Sequence, residues 1–578
     1  MTADSYLLAS PPGPHTNGQM SKGVAPIWGT DAPYVPYSAL WTWAALATLV
    51  FALHHNILQG WWGWDDPQIL KQAMRHAPWE YFFVPKVWHE LTAAFLTPWG
   101  TLSFDMDLAL FGLRPGAFYL HHLLALWLVA CATFTLLRMW VNTFYSTLGA
   151  ALFVVGAPLV PVSQQLSARH YVEGFLFAVL SLYLYVRFLR EGRSIFSWAG
   201  GLSYALAVSA KEVYVPLVLV LPFLLEQTWR RRLRAALPFF FVLAGYVLWR
   251  WLMLGVLVGG YGDVIDWKGL VIFWINAGQY MLGPGRFAMV SSFLAIVLIA
   301  GVVRRGWRIL PLIFVVLLMI AGPLVPLRGV DQERLRYILV PWWVFSMTIP
   351  LTCSCFTRSA NRNFILAVLL FGWFFGTVFL QRQITAGSLR PIIQEMEAEG
   401  KFIWNEDKGK VLFASTNLAT HFHFATGLLW LKRTGSSPPS GPQVVVDEIE
   451  LERLDLSQTQ VWRYARSCGC MRDISVSVPD MLAQWRIKQQ VRPLSLTFEY
   501  TGNLVSWKFG PYQHGTYSIV DDTRFGRLPL ANPGYRRVAL PNAPFAFHLR
   551  YDSPEGWVTY SPQLEVNPQL SRKLVWQR

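Results

Sequence analysis

Apolar stretches long enough to cross a bilayer recur along the first two thirds of the chain, and short basic connections separate them. The stretches occupy roughly 37–59, 116–137, 141–160, 171–190, 195–210, 212–227, 236–257, 286–303, 309–327, 337–356 and 363–381. A helix needs about 20 mostly apolar residues to span the hydrocarbon core, so the pattern predicts a polytopic α-helical membrane protein of about eleven transmembrane helices. The apolar stretch 267–284 is short and reads as a helix lying at the outer interface. The connection 60–115 is long and aromatic (Trp61, Trp62, Trp64, Trp79, Trp88, Trp99) and carries Lys71, Arg75, Lys86 and Glu90 at helical spacing, as surface-lying amphipathic helices do. Beyond 381 the pattern changes. KVLFAST, LATHFHFATGLLWLKRTG and QVVVDEIEL read as strand, helix and strand, and residues 494–566 as strands separated by Gly, Pro and Asn turns. The domains expected are an arm at 1–36, a transmembrane module at 37–381 and an external soluble α/β plus β-rich domain at 382–578.

Composition adds a direction to this picture. The 578 residues are 53% hydrophobic and 14% charged, against roughly 25% charged in soluble domains. A net charge of +15 could suggest nucleic acid, but the basic residues fall between the apolar runs. Arg138, then Arg187, Arg190 and Arg193, then Arg230, Arg231, Arg232 and Arg234, then Arg304, Arg305 and Arg308, then Arg358 and Arg362 occupy alternate connections. The positive-inside rule puts those connections in the cytoplasm. The N-terminal arm, rich in Pro and Gly, is then cytoplasmic and disordered, with no cleavable signal peptide. The tail after 381 is external, and periplasmic if the membrane is a bacterial inner membrane. Cys468 and Cys470, two apart in the tail, read as unremarkable or redox-paired thiols, because the spacing looks too tight for a relaxed disulfide and too sparse for zinc.

Chemistry should lie on the outer side. Directly after the first span stands Gly63-Trp64-Asp65-Asp66-Pro67. Adjacent carboxylates raise each other's pKa, so a pair held at a membrane face has a use; Asp66 as the cap of a helix opening at Pro67 is the plain alternative. The other outer loop tips are charged as well: Ser167-Ala168-Arg169-His170-Tyr171, Ala210-Lys211-Glu212, and Asp331-Gln332-Glu333-Arg334-Leu335-Arg336-Tyr337. Each alone reads as a snorkelling anchor. Together they surround one external mouth beside two carboxylates, which suits an anionic headgroup arriving from the membrane. His121 and His122 stand near the outer end of the second span, as hydrogen-bonding partners in the mouth or as structural groups.

The order of first span, external WDD, surface helices, Thr97-Pro98-Trp99 and Ala109-Leu110-Phe111-Gly112-Leu113-Arg114-Pro115-Gly116-Ala117-Phe118-Tyr119-Leu120-His121-His122-Leu123 resembles the membrane glycosyltransferases of the GT-C superfamily. The likeness is nearest the branch holding the protein O-mannosyltransferases and their bacterial relatives. RHYVEGFLFAVLSLYLY at 169–185, Ala210-Lys211-Glu212 and ERLRYILVP at 333–341 agree with it. The resemblance covers most of 37–381 and none of the tail, which shows neither the tandem helical repeats nor the β-trefoil of some relatives. It implies a hexosyl- or pentosyltransferase that moves a sugar from a polyprenyl-phosphate-linked donor to an acceptor hydroxyl on a polysaccharide, lipid or protein at the external face. By carry-over the catalytic carboxylate is Asp65 or Asp66, and Arg169, Lys211 and Arg336 contact the donor; Glu212, Arg334, Tyr337 and His121 join them by position around the mouth.

The expected chemistry follows. A phosphate leaving group needs cations more than a general acid, and a carboxylate takes the acceptor proton. No cofactor is called for. A divalent metal could use the acid pair, but no third ligand is evident. Nucleic acid is not an expected partner. Two other readings stay open: a transporter or flippase of a lipid-linked or anionic solute, and a scaffold whose tail binds envelope polysaccharide or protein.

Overall fold

The computed structural model describes residues 36–578 except 92–94, 225, 258–274, 277, 280–309, 322–332, 357–360, 407–408, 415–418, 435–440, 502–503, 522–525, 538–543 and 568–571. The arm at 1–36, the span at 286–303 and most of the interfacial stretch 267–284 therefore lie outside the described residues. Helices occupy the chain up to 405, and a β-rich region follows.

Among the described residues, three helices are long and apolar enough to cross a membrane: Pro115–Leu137, Leu166–Glu191 and Trp229–Leu254. Shorter apolar helical stretches, Thr143–Val155, Glu212–Phe223, Leu310–Met319 and Leu335–Leu351, fall on other expected spans. Two of the expected spans are broken. The run at 141–160 is helical over Thr143–Val155, stops at Gly156 and resumes as Leu159–Gln164 behind Pro158. The run at 212–227 folds as a 3-10 turn, Glu212–Tyr214, one α-turn, Leu217–Val220, and a second 3-10 turn, Leu221–Phe223. Pro216 and Pro222 each lack an N–H and crowd the preceding turn, which ends the i to i−4 ladder there. Trp229–Leu254 turns Phe241 (68% exposed), Leu248 (58%) and Leu252 (60%) outward, an apolar face suited to lipid.

Among the described residues, the basic connections around 138–141, 187–193 and 228–234 gather at one end of the bundle. Trp140 Nε1 and Arg190 Nη2 both donate to Glu226, at 2.8 and 2.9 Å, and Arg232 Nη1 donates to the carbonyl oxygens of Pro222 and Leu224. The opposite end is built from the long connection at 60–115. It folds as α1 Asp66–Arg75, α2 Glu80–Phe83, α3 Pro85–Leu91 and α4 Pro98–Phe111. In α4 the usual order is inverted: Thr101, Ser103 and Asp107 are buried, while Met106 and Leu110 are exposed. The helix presents its polar stripe to the protein interior and its apolar stripe outward.

The helix Asn361–Asn405 runs unbroken through the expected end of the last span into the tail. There β1 Lys410–Phe413 pairs in parallel with β2 Gln443–Val445 and β3 Gln460–Ala465, and β3 pairs with β4 Cys470–Asp473, giving the order β2-β1-β3-β4. Two antiparallel sheets follow within 495–577, and their facing side chains, among them Phe498, Trp507, Tyr517, Phe547 and Tyr551, form a common core. The strand, helix and strand expected at the start of the tail are thus present, and the region after them is two-sheeted. The reading of Cys468 and Cys470 is corrected: they form a disulfide across the β3–β4 turn, where a Cα separation of 5.3 Å is ordinary for such a bond.

The tail packs on the end of the bundle that carries α1. A Cβ added at Gly427, in the helix Ala419–Thr434, would stand 2.6 Å from Gln68 Nε2 and 3.0 Å from Pro67 Cβ of α1. One added at Gly400 would stand 2.8 Å from Trp61 Cδ1. Only glycine allows these approaches without displacing a neighbour.

Candidate functional site

The Asp-Asp pair is divided between two jobs. Asp66 is fully buried. Its Oδ2 accepts from the Gly63 N–H at 2.9 Å and its Oδ1 from the Ser167 N–H at 2.7 Å. It is the first residue of α1 and does not cap it; the cap position belongs to Asp65, whose side chain makes no capping bond. Asp65 is exposed. Between Gly63 and Asp65 stands Trp64, buried, at φ 46°, a left-handed conformation costly for a bulky residue. The Asp66 carboxylate closes the turn from below, the indole anchors it, and Asp65 is lifted to its tip. Burial pushes Asp66 up to about 7, against the pull of the two N–H donors.

Asp65 lies within electrostatic reach of Arg336. Arg336, half-buried at the start of the tenth expected span, donates to Gln165 Oε1 and stands 5.2 Å from the centroid of the Tyr337 ring. Tyr337 in turn packs edge-on against Tyr171, centroids 6.0 Å apart. Lys211, 7% exposed, holds its ammonium 4.3 Å from the Phe95 ring centroid and 5.0 Å from that of Tyr171. Among the described residues it forms no ion pair with a carboxylate. Burial lowers the Lys211 ammonium, opposed by neighbouring Glu212. Around these cations sit two buried nitrogens with no hydrogen-bond partner, Gln165 Nε2 and His170 Nε2. The Gln165 amide nitrogen can only donate, and buried donors are rarely left unpaired, so an anion with acceptor oxygens fits beside it and the two cations.

Arg169 and Glu212 do different work from the donor contact expected of them. Arg169 is fully buried. Its Nη1 donates to Asp107 Oδ2 at 2.6 Å and its Nη2 to the Phe118 carbonyl at 2.8 Å, with the guanidinium 4.8 Å from the Phe104 ring centroid. It ties α4 to the helices that follow. Glu212 accepts from the Leu96 N–H at 2.8 Å and from Arg250 Nη1, fixing the loop before α4. Nor does His121 stand with the cations: its Nδ1 is 2.9 Å from Asp107 Oδ1 and its Nε2 3.6 Å from Glu173 Oε1. The side chain of Arg334 lies outside the described residues. His122 is buried on the Val162 carbonyl.

The residues that sequence reasoning missed are Asp107, Glu173, Gln165 and His170. Glu173 accepts from Trp99 Nε1 and Ser103 Oγ, both at 2.7 Å. The available signal was a carboxylate inside an apolar stretch, FDMDLALF at 104–111 and YVEGFLF at 171–177, since buried charges are paired or used. Among the described residues no group of three or more His, Cys, Asp or Glu side chains is arranged to hold a metal ion.

No family model and no curated protein matches this chain. It is similar to solved structures of ArnT from Cupriavidus metallidurans bound to undecaprenyl phosphate, at 13% identity over 75% of this chain and 94% of that one, with a TM-score of 0.40. It is similar too to the archaeal oligosaccharyltransferase AglB from Archaeoglobus fulgidus, in complex with an inhibitory peptide and a dolichol-phosphate, at 10% identity over 93% and 94% of the two chains, TM-score 0.47. An Archaeoglobus fulgidus oligosaccharyltransferase tethered to an acceptor peptide with the NVT sequon matches at 11% identity over 82% and 74%, TM-score 0.39.

Proposed function

We propose that this chain is a GT-C-type glycosyltransferase that moves a sugar from a polyprenyl-phosphate-linked donor to an acceptor hydroxyl at the outer membrane face. The observation that carries this reading is Asp65, exposed at the tip of a clamped turn and within electrostatic reach of Arg336, in a neighbourhood that also holds the unpaired amide nitrogen of Gln165. Lys211, Arg336 and Gln165 hold the donor phosphate. Asp65 takes the proton of the acceptor hydroxyl as its oxygen bonds to the anomeric carbon. The bond from that carbon to the phosphate oxygen breaks, its electron pair stays on the phosphate, and Lys211 and Arg336 neutralise the charge. Asp66 holds the turn, and Tyr337 and Tyr171 wall the cations. The Cys468–Cys470 disulfide accords with an external tail, since such bonds persist in oxidising compartments.

The test uses the full chain in lipid nanodiscs and in sealed vesicles, supplied with a polyprenyl phosphate carrying a labelled hexose or pentose. Label leaving the lipid for an acceptor or for water, dependent on Asp65, supports transfer. Movement of intact lipid-linked sugar across the vesicle bilayer with no cleavage would instead mark a flippase.

A further inference from the structure

The turn that carries Asp65 has a second face. There the segment 56–64 and the helix Asn361–Asn405 enclose a cavity of about 450 Å³, within the range of roughly 300–1,000 Å³ usual for small-molecule sites. Trp61, Trp64, Gln164, Arg390, Glu397 and Lys401 are among its walls. We infer that this cavity seats the acceptor, and that the acceptor is a carbohydrate bearing an acidic group; the inference rests on the transfer reading above.

Two pairs of chain neighbours connect the cavity to the cationic cluster. Trp64 lines the cavity and Asp65 lies within electrostatic reach of Arg336; Gln164 lines the cavity and Gln165 holds Arg336. The cavity and the cluster are therefore built on the same two segments, 64–65 and 164–165, with Asp65 next in sequence to a cavity-lining residue. An acceptor on one side and a donor phosphate on the other meet at that carboxylate.

The lining chooses the class of ligand. Indole faces stack on the C–H face of a sugar ring, and the amide of Gln164 meets hydroxyl groups. Gln164 Oε1 is buried without a hydrogen-bond partner, an acceptor left over for a hydroxyl donor. Lys401 Nζ is already bound to Glu397 at 2.6 Å, so their charges cancel. Arg390 forms no ion pair among the described residues, and its guanidinium remains the net charge of the wall, matched to a carboxylate or phosphate. The same helix leads into the tail, which brings the tail's packing to bear on the acceptor.

The experiment titrates the full chain in nanodiscs with uronate-bearing and phosphate-bearing disaccharides and with their neutral parents, read by tryptophan fluorescence. At least one acidic disaccharide should give a saturable change and its neutral parent a response about tenfold weaker, the size of one lost charge-assisted contact. Arg390→Ala should remove that preference, and Gln164→Leu should weaken both sugars. Saturating polyprenyl phosphate should not displace the sugar, and Lys211→Ala should abolish polyprenyl phosphate binding while sparing the sugar. No saturable change with any disaccharide, an equal response to acidic and neutral sugars, or displacement by polyprenyl phosphate would overturn the inference. Intact polyprenyl phosphate binding in Lys211→Ala, with sugar binding normal, would defeat the donor assignment and leave the cavity standing.

Discussion

Ser167 and Asp66 stand 101 residues apart in sequence and are joined by a hydrogen bond of 2.7 Å from the Ser167 N–H to Asp66 Oδ1. That bond sets the outer end of one helix against the first external turn. It places the loop tip before Arg169–Glu191 beside the carboxylate pair, and so brings His170 and Gln165 to the same place.

Asp65→Asn should abolish transfer and leave the fold intact. The exposed carboxylate makes no capping bond, so its loss removes a base and little else. Transfer should fall about 10²–10⁴-fold, with the melting temperature unchanged and polyprenyl phosphate still bound. Full transfer activity in this variant would defeat the base assignment.

Asp66→Asn should act through structure. An amide offers one acceptor oxygen where two N–H groups need one each, which leaves a buried donor unpaired at a cost of about 1–3 kcal/mol. Melting temperature and transfer should fall together. The pH dependence carries a sign. Folding raises the Asp66 pKa from 3.8 to about 7, so the folded chain holds the proton more tightly than the unfolded one. The contribution of this group to stability is therefore greatest below about pH 4 and is lost as pH rises to about 7. Thermal melts across that window should show the decline, and the Asn variant should flatten it.

Lys211→Met and Arg336→Lys should weaken the donor rather than the fold. Arg336→Lys keeps the charge but loses the planar fork. Both should raise the donor KM about tenfold or more, with the acceptor KM unmoved. The reverse pattern would assign these cations to the acceptor.

Arg169→Met should unfold the α4 end of the bundle, because Asp107 is left buried with only His121 beside it, at a cost of up to about 3–5 kcal/mol. The double variant Arg169→Met with Asp107→Leu should recover part of that loss. A stable single variant with impaired donor binding would return Arg169 to the ligand.

Gly427→Leu should displace the tail from α1, since its side chain meets Gln68 and Pro67 at once. Partial proteolysis should then release the tail faster than in the parent chain, and transfer to the acceptor should fall more than loss of sugar from the donor to water.

The legible part of the site was its charges at loop ends. Lys211 and Arg336 stand out because short connections seldom carry them, and the structure brings both to the Tyr171–Tyr337 pair, Arg336 within electrostatic reach of Asp65. Arg169 looked the same in sequence and proved to be interior, because α4 supplies Asp107 from a stretch that reads as apolar. The broken stretch 212–223 carried its explanation openly in Pro216 and Pro222, though hydropathy averaged over a window conceals it. In the tail, long alternating strands such as Ser495–Thr501 were readable, while Leu564–Val566, three residues long, is too short for an alternation to show.

Hydropathy and the placement of arginines are local properties, since each residue meets lipid or water largely on its own account. They were enough to determine a helical membrane protein with a β-rich tail, and to bring its acidic turn and basic loop tips to notice. Which of two adjacent aspartates is exposed is not a local property. It follows from Ser167 and Gly63 closing on Asp66 while Trp64 anchors the turn, contacts that exist only after distant helices have packed. The tertiary structure decided the division of labour in the pair, the removal of Arg169 and Glu212 from the ligand, and the cavity beside Trp64, because burial and partnership belong to an arrangement of segments rather than to any one of them.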